Sequence, residues 1–506
     1  MLSIIKSISL NGIEGFIVDV QVDISGGIPC WEVVGLPDAS VRESKERVKI
    51  AIKNSGYEFP SRRIVINLAP ATIKKEGAIF DLPIAIAILM ASGNVQYFNF
   101  DEIVFLGELS FDGKINPVRG VLAMCIEAKK MGFKKIIVPK ENAKEASIVE
   151  NIDVIPVKTL NQVIAFLNKK INIVPEKLDV GVWLNKRQKY NMDFSEVKGQ
   201  KNVKRALEVA ASGGHNCLLI GSPGSGKTMM AKRIPTILPN LSFEEALEVT
   251  KIHSIVGNIT NDIPFMVNRP FISPHHTTSK ISLVGGGKNP RPGDISLSHY
   301  GVLFLDELPE FDKATLEVLR EPLEDGKITI SRLNSTVTYP SRFMLVASMN
   351  PCPCGYYGSD KDCSCSSKAI QNYFGKISGP LLDRIDIQVE VSSVKYEDLG
   401  IHLPEEPSET IRNRVQKTRN IQIKRYKEEG IFSNSELTPR LIEKYCALND
   451  ECTDILKKIF NRLGLSARAY GRILKVARTI ADMQECENIE KMHLLEAIQY
   501  RSLDKK

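Results

Sequence analysis

The chain has 506 residues, enough for roughly two to four domains that each bury a core. With 43% hydrophobic and 25% charged residues it has an ordinary globular balance, and no apolar run reaches the roughly 18 residues of a membrane span. A net charge of +7 permits an acidic partner without requiring one, and ten cysteines in so long a chain exclude a disulfide scaffold. The first residues, Met-Leu-Ser-Ile-Ile-Lys, lack a basic region followed by an apolar block, so a cytoplasmic location is expected.

Residues 1–168 read as a first domain of α/β or α+β type. Ile17 to Val22, Trp31 to Val34, Arg63 to Leu68, Ile103 to Glu108 and Lys135 to Pro139 have strand patterns. Ser40 to Asn54 is amphipathic, Leu82 to Met90 reads as a buried helix, and Val121 to Met131 as a further helix. At Gly35-Leu36-Pro37-Asp38, Asn67-Leu68-Ala69-Pro70, Phe80-Asp81-Leu82-Pro83 and Gly107-Glu108-Leu109 the domain resembles the Lon-protease-like, ribosomal-S5-type domain of magnesium-chelatase-like ATPases. Lon enzymes use a Ser–Lys pair. The corresponding loop, Lys74 to Asp81, holds no Ser, Thr or Cys, and Leu122 falls where the lysine would stand. Without a nucleophile there is nothing for a base to activate, so a non-proteolytic relative is expected.

Residues 169–192, with Lys169, Lys170, Lys177, Lys186, Arg187 and Lys189 and little periodicity, read as a basic linker. Residues 193–393 form the expected central domain. Its focus is Gly221-Ser222-Pro223-Gly224-Ser225-Gly226-Lys227-Thr228, with an apolar run before it and a helical pattern after it. Glycines let backbone N–H groups curl around phosphate, Lys227 reaches the β- and γ-phosphates of ATP, and the Thr228 hydroxyl suits Mg²⁺. The segment Thr250 to Tyr300 is rich in Gly, Pro, His and Ser and reads as a long loop; a loop role is preferred to metal for His275 and His276.

Gly301 to Leu305 is an apolar strand ending at Asp306 and Glu307, the first suited to Mg²⁺ and the second to polarising an attacking water. Lys327 to Arg332 and Ser335 to Tyr339 alternate around Leu333-Asn334, which predicts a hairpin. The strand Phe343 to Met349 ends at Asn350. Cys352, Cys354, Cys363 and Cys365 follow as Cys-x-Cys-x₈-Cys-x-Cys, a set of soft ligands for tetrahedral Zn²⁺; free thiols or a redox pair are the alternatives. Arg384 lies among acids. Arg412 to Lys427 is a basic helical run whose default is a solvated face. Residues 394–506 read as an α-helical lid.

These signatures together resemble the ComM/YifB family of magnesium-chelatase-like AAA+ ATPases over nearly the whole chain. The most specific stretches are the loop at 221–228, Phe304 to Phe311, Asn350 to Gly355 and Ser466 to Ile473. The resemblance implies that Asp193 to Gln200 flanks adenine, that Asn350 is sensor 1, that Arg384 is an arginine finger and that Arg468 is sensor 2. It also implies a pre-sensor-1 hairpin at Lys327 to Tyr339 and a helix-2 insertion within Thr250 to Tyr300. The implied activity is a homo-hexameric DNA motor that promotes branch migration when incoming DNA recombines. On such a motor Lys327, Arg332 and Asn334 are the expected contacts to single-stranded or branched DNA, tolerant of sequence. The competing reading is a chelatase-like motor that remodels a protein partner, and an ATP-dependent protease is disfavoured.

Overall fold

The computed structural model describes residues 2–96, 100–185, 190–287, 290–332, 335–392, 405–463 and 466–501. The chain divides into two compact units. One comprises residues 1–187 together with 243–266, the other residues 188–242 and 267–506.

The first unit is built on a seven-stranded mixed sheet. Its strands are β1 (Leu2–Asn11), β2 (Glu14–Ser25), β3 (Cys30–Val34), β4 (Arg63–Ala69) and β5 (Ile103–Phe105), then β8 (Lys135–Pro139) and β9 (Asp153–Val157). They run in the order β3-β4-β2-β1-β5-β8-β9. A small hairpin of β6 (Glu108–Leu109) and β7 (Ile115–Asn116) interrupts the expected strand Ile103 to Glu108. The helix Asp81–Ala91 is buried from Asp81 to Met90, as its lack of a polar face requires. At its start Asp81 forms a fork with Arg47, Nε to Oδ2 at 2.6 Å and Nη2 to Oδ1 at 3.0 Å. Burial pushes the Asp81 carboxyl up to about 6, with Arg47 opposing.

Residues 243–266 complete this unit. Their helix, Phe243–Val256, packs along the helix Val121–Lys130. The Ser254 hydroxyl donates to the buried Glu145 carboxylate, which also accepts from Leu122 N at 3.1 Å.

The second unit centres on a five-stranded, wholly parallel sheet in the order β11-β14-β17-β10-β18. These strands are β10 (Cys217–Gly221), β11 (Phe271–Ile272), β14 (Val302–Leu305), β17 (Met344–Met349) and β18 (Ile387–Val391). The apolar runs of β10, β14 and β17 are buried along their length, as expected of parallel strands covered on both faces. Helices Ser408–Arg425, Pro439–Tyr445, Asp450–Leu463, Ala467–Met483 and Lys491–Gln499 follow the sheet. Asp386 is buried and joins them to it: it pairs with Arg472 at 2.6 Å and His215 at 3.2 Å, and its carboxyl is held far below the usual range despite burial.

One expectation changes. Among its described residues, the segment from Thr250 to Tyr300 carries short elements rather than forming one long loop. After the helix that ends at Val256 it carries the helix Lys280–Val284, the strand pair β12 (Gly285–Gly286) and β13 (Arg291–Pro292), and the helix Asp294–Leu297. Elements of two to five residues are shorter than the window over which a period can be read. Residues 169–192 include the short helix Val180–Asn185; Lys186, Arg187 and Lys189 lie outside the described residues.

Candidate functional site

Three neighbouring strands of the parallel sheet deliver the site from their C-terminal ends, the edge where open α/β sheets bind ligands. The loop 221–226 leaves β10, Asp306 and Glu307 leave β14, and Asn350 leaves β17. Gly224 and Gly226 have φ of 77° and 91°, a region that side chains disfavour, and the turn they make starts the helix Lys227–Ile237.

Lys227 Nζ donates to Gly221 O at 2.7 Å, Ser222 O at 3.0 Å and Asn350 Oδ1 at 3.2 Å. Burial pulls its pKa below the ordinary lysine value, with Asp306 and Glu307 opposing. The Thr228 hydroxyl donates to Asp306 Oδ2 at 2.7 Å. An ammonium, a hydroxyl and a carboxylate thus converge at a helix N-terminus, a donor set suited to phosphate and a hard divalent cation.

Glu307 is exposed and takes a left-handed backbone, φ 54°, which is costly for a residue with a side chain. Two partners of these carboxylates were not anticipated. Ser348, on β17, donates its hydroxyl to Asp306 Oδ1 and accepts from Glu307 N at 3.3 Å. His276 brings Nδ1 to 3.9 Å from Glu307 Oε2 while its ring lies 4.1 Å from that of His275. A polar residue inside an otherwise apolar strand was the signal for Ser348.

The four cysteines come together. Cys352 Sγ lies 3.3 Å from Cys354 Sγ and 3.7 Å from Cys363 Sγ, Cys354 and Cys363 are 3.6 Å apart, and all four sulfurs, with Cys365, lie within 4.8 Å. Four sulfurs at about 2.3 Å from one Zn²⁺ stand about 3.8 Å apart, so the set fits a tetrahedral ion. Gly355 N and Tyr357 N donate to Cys352 Sγ at 3.2 and 3.3 Å, and the Tyr356 backbone N–H holds the Cys354 thiol down at about 6. Gly355 is packed so tightly on the phosphate-type loop that a Cβ there would sit 2.5 Å from Pro223 Cδ.

Arg384 is separated from this constellation in its bonding. It is buried, its Nη1 donates to Pro380 O at 2.7 Å and its Nη2 pairs with Glu324. Arg468 is exposed and acts electrostatically on the same Glu324.

The hairpin forms as β15 (Lys327–Arg332) and β16 (Ser335–Pro340), with Lys327 opposite Pro340 and Arg332 opposite Ser335. Ile328, Ile330, Val337 and Tyr339 face inward, while Lys327 and Arg332 are exposed. Leu333 and Asn334, at the turn, lie outside the described residues. The basic helix Ser408–Arg425 is not simply a solvated face. Arg414 pairs with Glu208 at 2.6 Å and with Glu406, Arg425 forks onto Asp482 at 2.8 and 2.6 Å, and Arg419 is buried.

The family described as "Magnesium chelatase, subunit ChlI" matches residues 193–399, "Subunit ChlI of Mg-chelatase" matches 20–142, and "Magnesium chelatase, subunit ChlI C-terminal" matches 405–501. Competence protein ComM of Haemophilus influenzae is 42% identical over 99% of this chain and 98% of its own length. Protein YifB of Escherichia coli is 44% identical over 100% and 98%. The magnesium-chelatase subunit ChlI of Cyanidium caldarium is more distant, 22% identical over 53% of this chain and 79% of its own. With full-length identity at this level and chelatase-type sequence along most of its length, the chain belongs to the ComM/YifB family of magnesium-chelatase-like AAA+ proteins.

Proposed function

We propose that this chain is a cytoplasmic AAA+ ATP hydrolase that assembles as a homo-hexamer and moves on single-stranded or branched DNA, promoting branch migration as incoming DNA recombines. The observation that carries the reading is the short path from hairpin to phosphate site. β15 and β16 lead within a few residues into β17, and β17 is followed directly by Asn350, whose side chain accepts from Lys227. A change in phosphate occupancy at Lys227 is thereby felt by the strand that follows the hairpin. The name of the Haemophilus influenzae relative, a competence protein, supports a role with incoming DNA.

Gly221 to Gly226 and Lys227 hold the phosphates of ATP. Thr228 and Asp306 are the residues that would hold Mg²⁺, which when bound supplies charge neutralisation for phosphoryl transfer. Glu307 orients the attacking water and accepts its proton. Asn350 senses the terminal phosphate, Arg384 serves as an arginine finger at the interface between copies, and Arg468 is sensor 2. Cys352, Cys354, Cys363 and Cys365 hold Zn²⁺ in a structural role. The first unit is a Lon-like, S5-type module without protease chemistry, and the C-terminal helices form the lid. Lys327, Arg332 and Asn334 grip DNA through its phosphates.

The test is ATP hydrolysis by the full chain with and without single-stranded, duplex and branched DNA. Stimulation by DNA, greatest with branched substrates, is expected; a rate indifferent to all three sinks the DNA reading. The second reading, a motor acting on a protein partner, is favoured by the similarity to magnesium-chelatase subunits and expects that indifference.

A further inference from the structure

A cavity of about 460 Å³ lies beside Arg384, bordered by the helices Lys280–Val284 and Arg320–Asp325 and by β15. Its charged lining is Lys280, Glu317, Arg320, Glu321, Glu324 and Arg384. Arg384 is only 6% exposed, yet its guanidinium is not saturated. Nη1 and Nη2 are bonded to Pro380 O and Glu324, but Nε has no hydrogen-bond partner among the described residues. Leaving a buried donor of a charged group unsatisfied is unfavourable, and the planar fork of arginine is shaped for a second anion oxygen.

Glu324 is the opposite kind of partner. Its side chain is 58% exposed against 7% for that of Arg384, so water readily replaces what it loses on leaving. Arg384 first, then Arg468 and Arg320, hold its carboxyl below the usual carboxylate range. One solvent-facing carboxylate is thus ion-paired with Arg384 and lies in the field of two further guanidinium groups. A terminal phosphate offers three oxygens and more negative charge than a carboxylate, and it matches the arginine fork at least as well.

We propose that Glu324 is a displaceable counter-ion, which holds Arg384 until the terminal phosphate of ATP bound by a second copy of this chain takes its place. This rests on the reading of Arg384 as a residue of the interface between copies. Glu324 is then a positioning residue that acts through Arg384. Removing it spares the exchange the cost of breaking an ion pair, so assembly and nucleotide engagement become easier. Replacing it with another acid does not.

The experiment is steady-state ATPase of the full chain with Mg²⁺, titrated in ATP and in protein, for Glu324→Gln, Glu324→Asp, Arg384→Ala and the double variant Arg384→Ala/Glu324→Gln. Glu324→Gln is expected to lower KM for ATP, or the protein concentration at half-maximal rate, by about fivefold, the upper worth of an ion pair with one exposed partner. Its kcat does not fall. Glu324→Asp keeps the parental KM, and the double variant is as slow as Arg384→Ala, because the gain passes through Arg384. A fall in kcat for Glu324→Gln at unchanged KM would make Glu324 a fixed brace and overturn the exchange, as would no effect on either constant. Full turnover by Arg384→Ala would instead overturn the interface reading beneath it.

Discussion

Lys227 and Thr228 are adjacent at the start of one helix, yet they face the ends of different strands, one toward Asn350 after β17 and the other toward Asp306 after β14. Lys227→Ala is expected to abolish ATP binding measured with a fluorescent analogue. Glu307→Gln keeps binding but slows hydrolysis on the order of 10²–10⁴, the usual worth of a general base; hydrolysis at the parental rate would refute its role. Asp81 gives a pH test. Its folded pKa of about 6 lies above its ordinary 3.8, so the folded state holds the proton more tightly. That contribution is complete below pH 3.8 and is lost as pH rises through 6, a change of about 3 kcal/mol. Comparing Asp81→Asn with the parent in urea melts between pH 4 and 7 should show this component gone from the variant. The phosphate-type loop and the Asp306-Glu307 pair were legible because their spacing is itself the chemistry. His276 was not, since it meets Glu307 only through the path of a segment with no readable period.

Among elements, those with a sustained pattern were the legible ones. The helix Asp81–Ala91 and the strands β10, β14 and β17 have apolar runs long enough to declare themselves. The helix Ser408–Arg425 shows the limit: its basic run was plain, but its acidic partners Glu208 and Asp482 stand 206 and 57 residues away from Arg414 and Arg425. Under the proposed DNA reading, that internal pairing favours the hairpin over this helix as the contact to be tested. Arg332→Ala should weaken binding to single-stranded DNA and reduce the log–log salt slope by about 0.7, the share of one phosphate contact. An unaltered slope would move the DNA path elsewhere. The cysteine loop offers a second measurement. Purified chain should carry about one zinc per molecule, and Cys363→Ser should lose it. Because Gly355 rests on Pro223, that variant is also expected to bind ATP more weakly. Full occupancy by ATP in a zinc-free chain would separate the two.

At the scale of the whole molecule, Arg384 has its bonds on Glu324 and Pro380 rather than on the loop of its own chain. An interface role in trans predicts complementation. Arg384→Ala alone should lose on the order of 10³ in rate, and so should Lys227→Ala, but mixing the two should restore measurable hydrolysis. Two dead proteins that stay dead when mixed, at concentrations where the parent sediments as a hexamer, would place the finger elsewhere. Among the described residues no helix is long and apolar enough to cross a membrane.

The placement of residues 243–266 has a consequence for how the molecule comes apart. The polypeptide passes from one unit to the other three times, at 187/188, 242/243 and 266/267. Three covalent threads join the units where a simple tandem arrangement would have one. A protease cut at any single crossing leaves the other two intact, and the segment 243–266 keeps Ala246, Val249, Ile252 and Phe265 buried. Nicked protein should therefore migrate as one particle on a native column and fall into two bands only in denaturing gel.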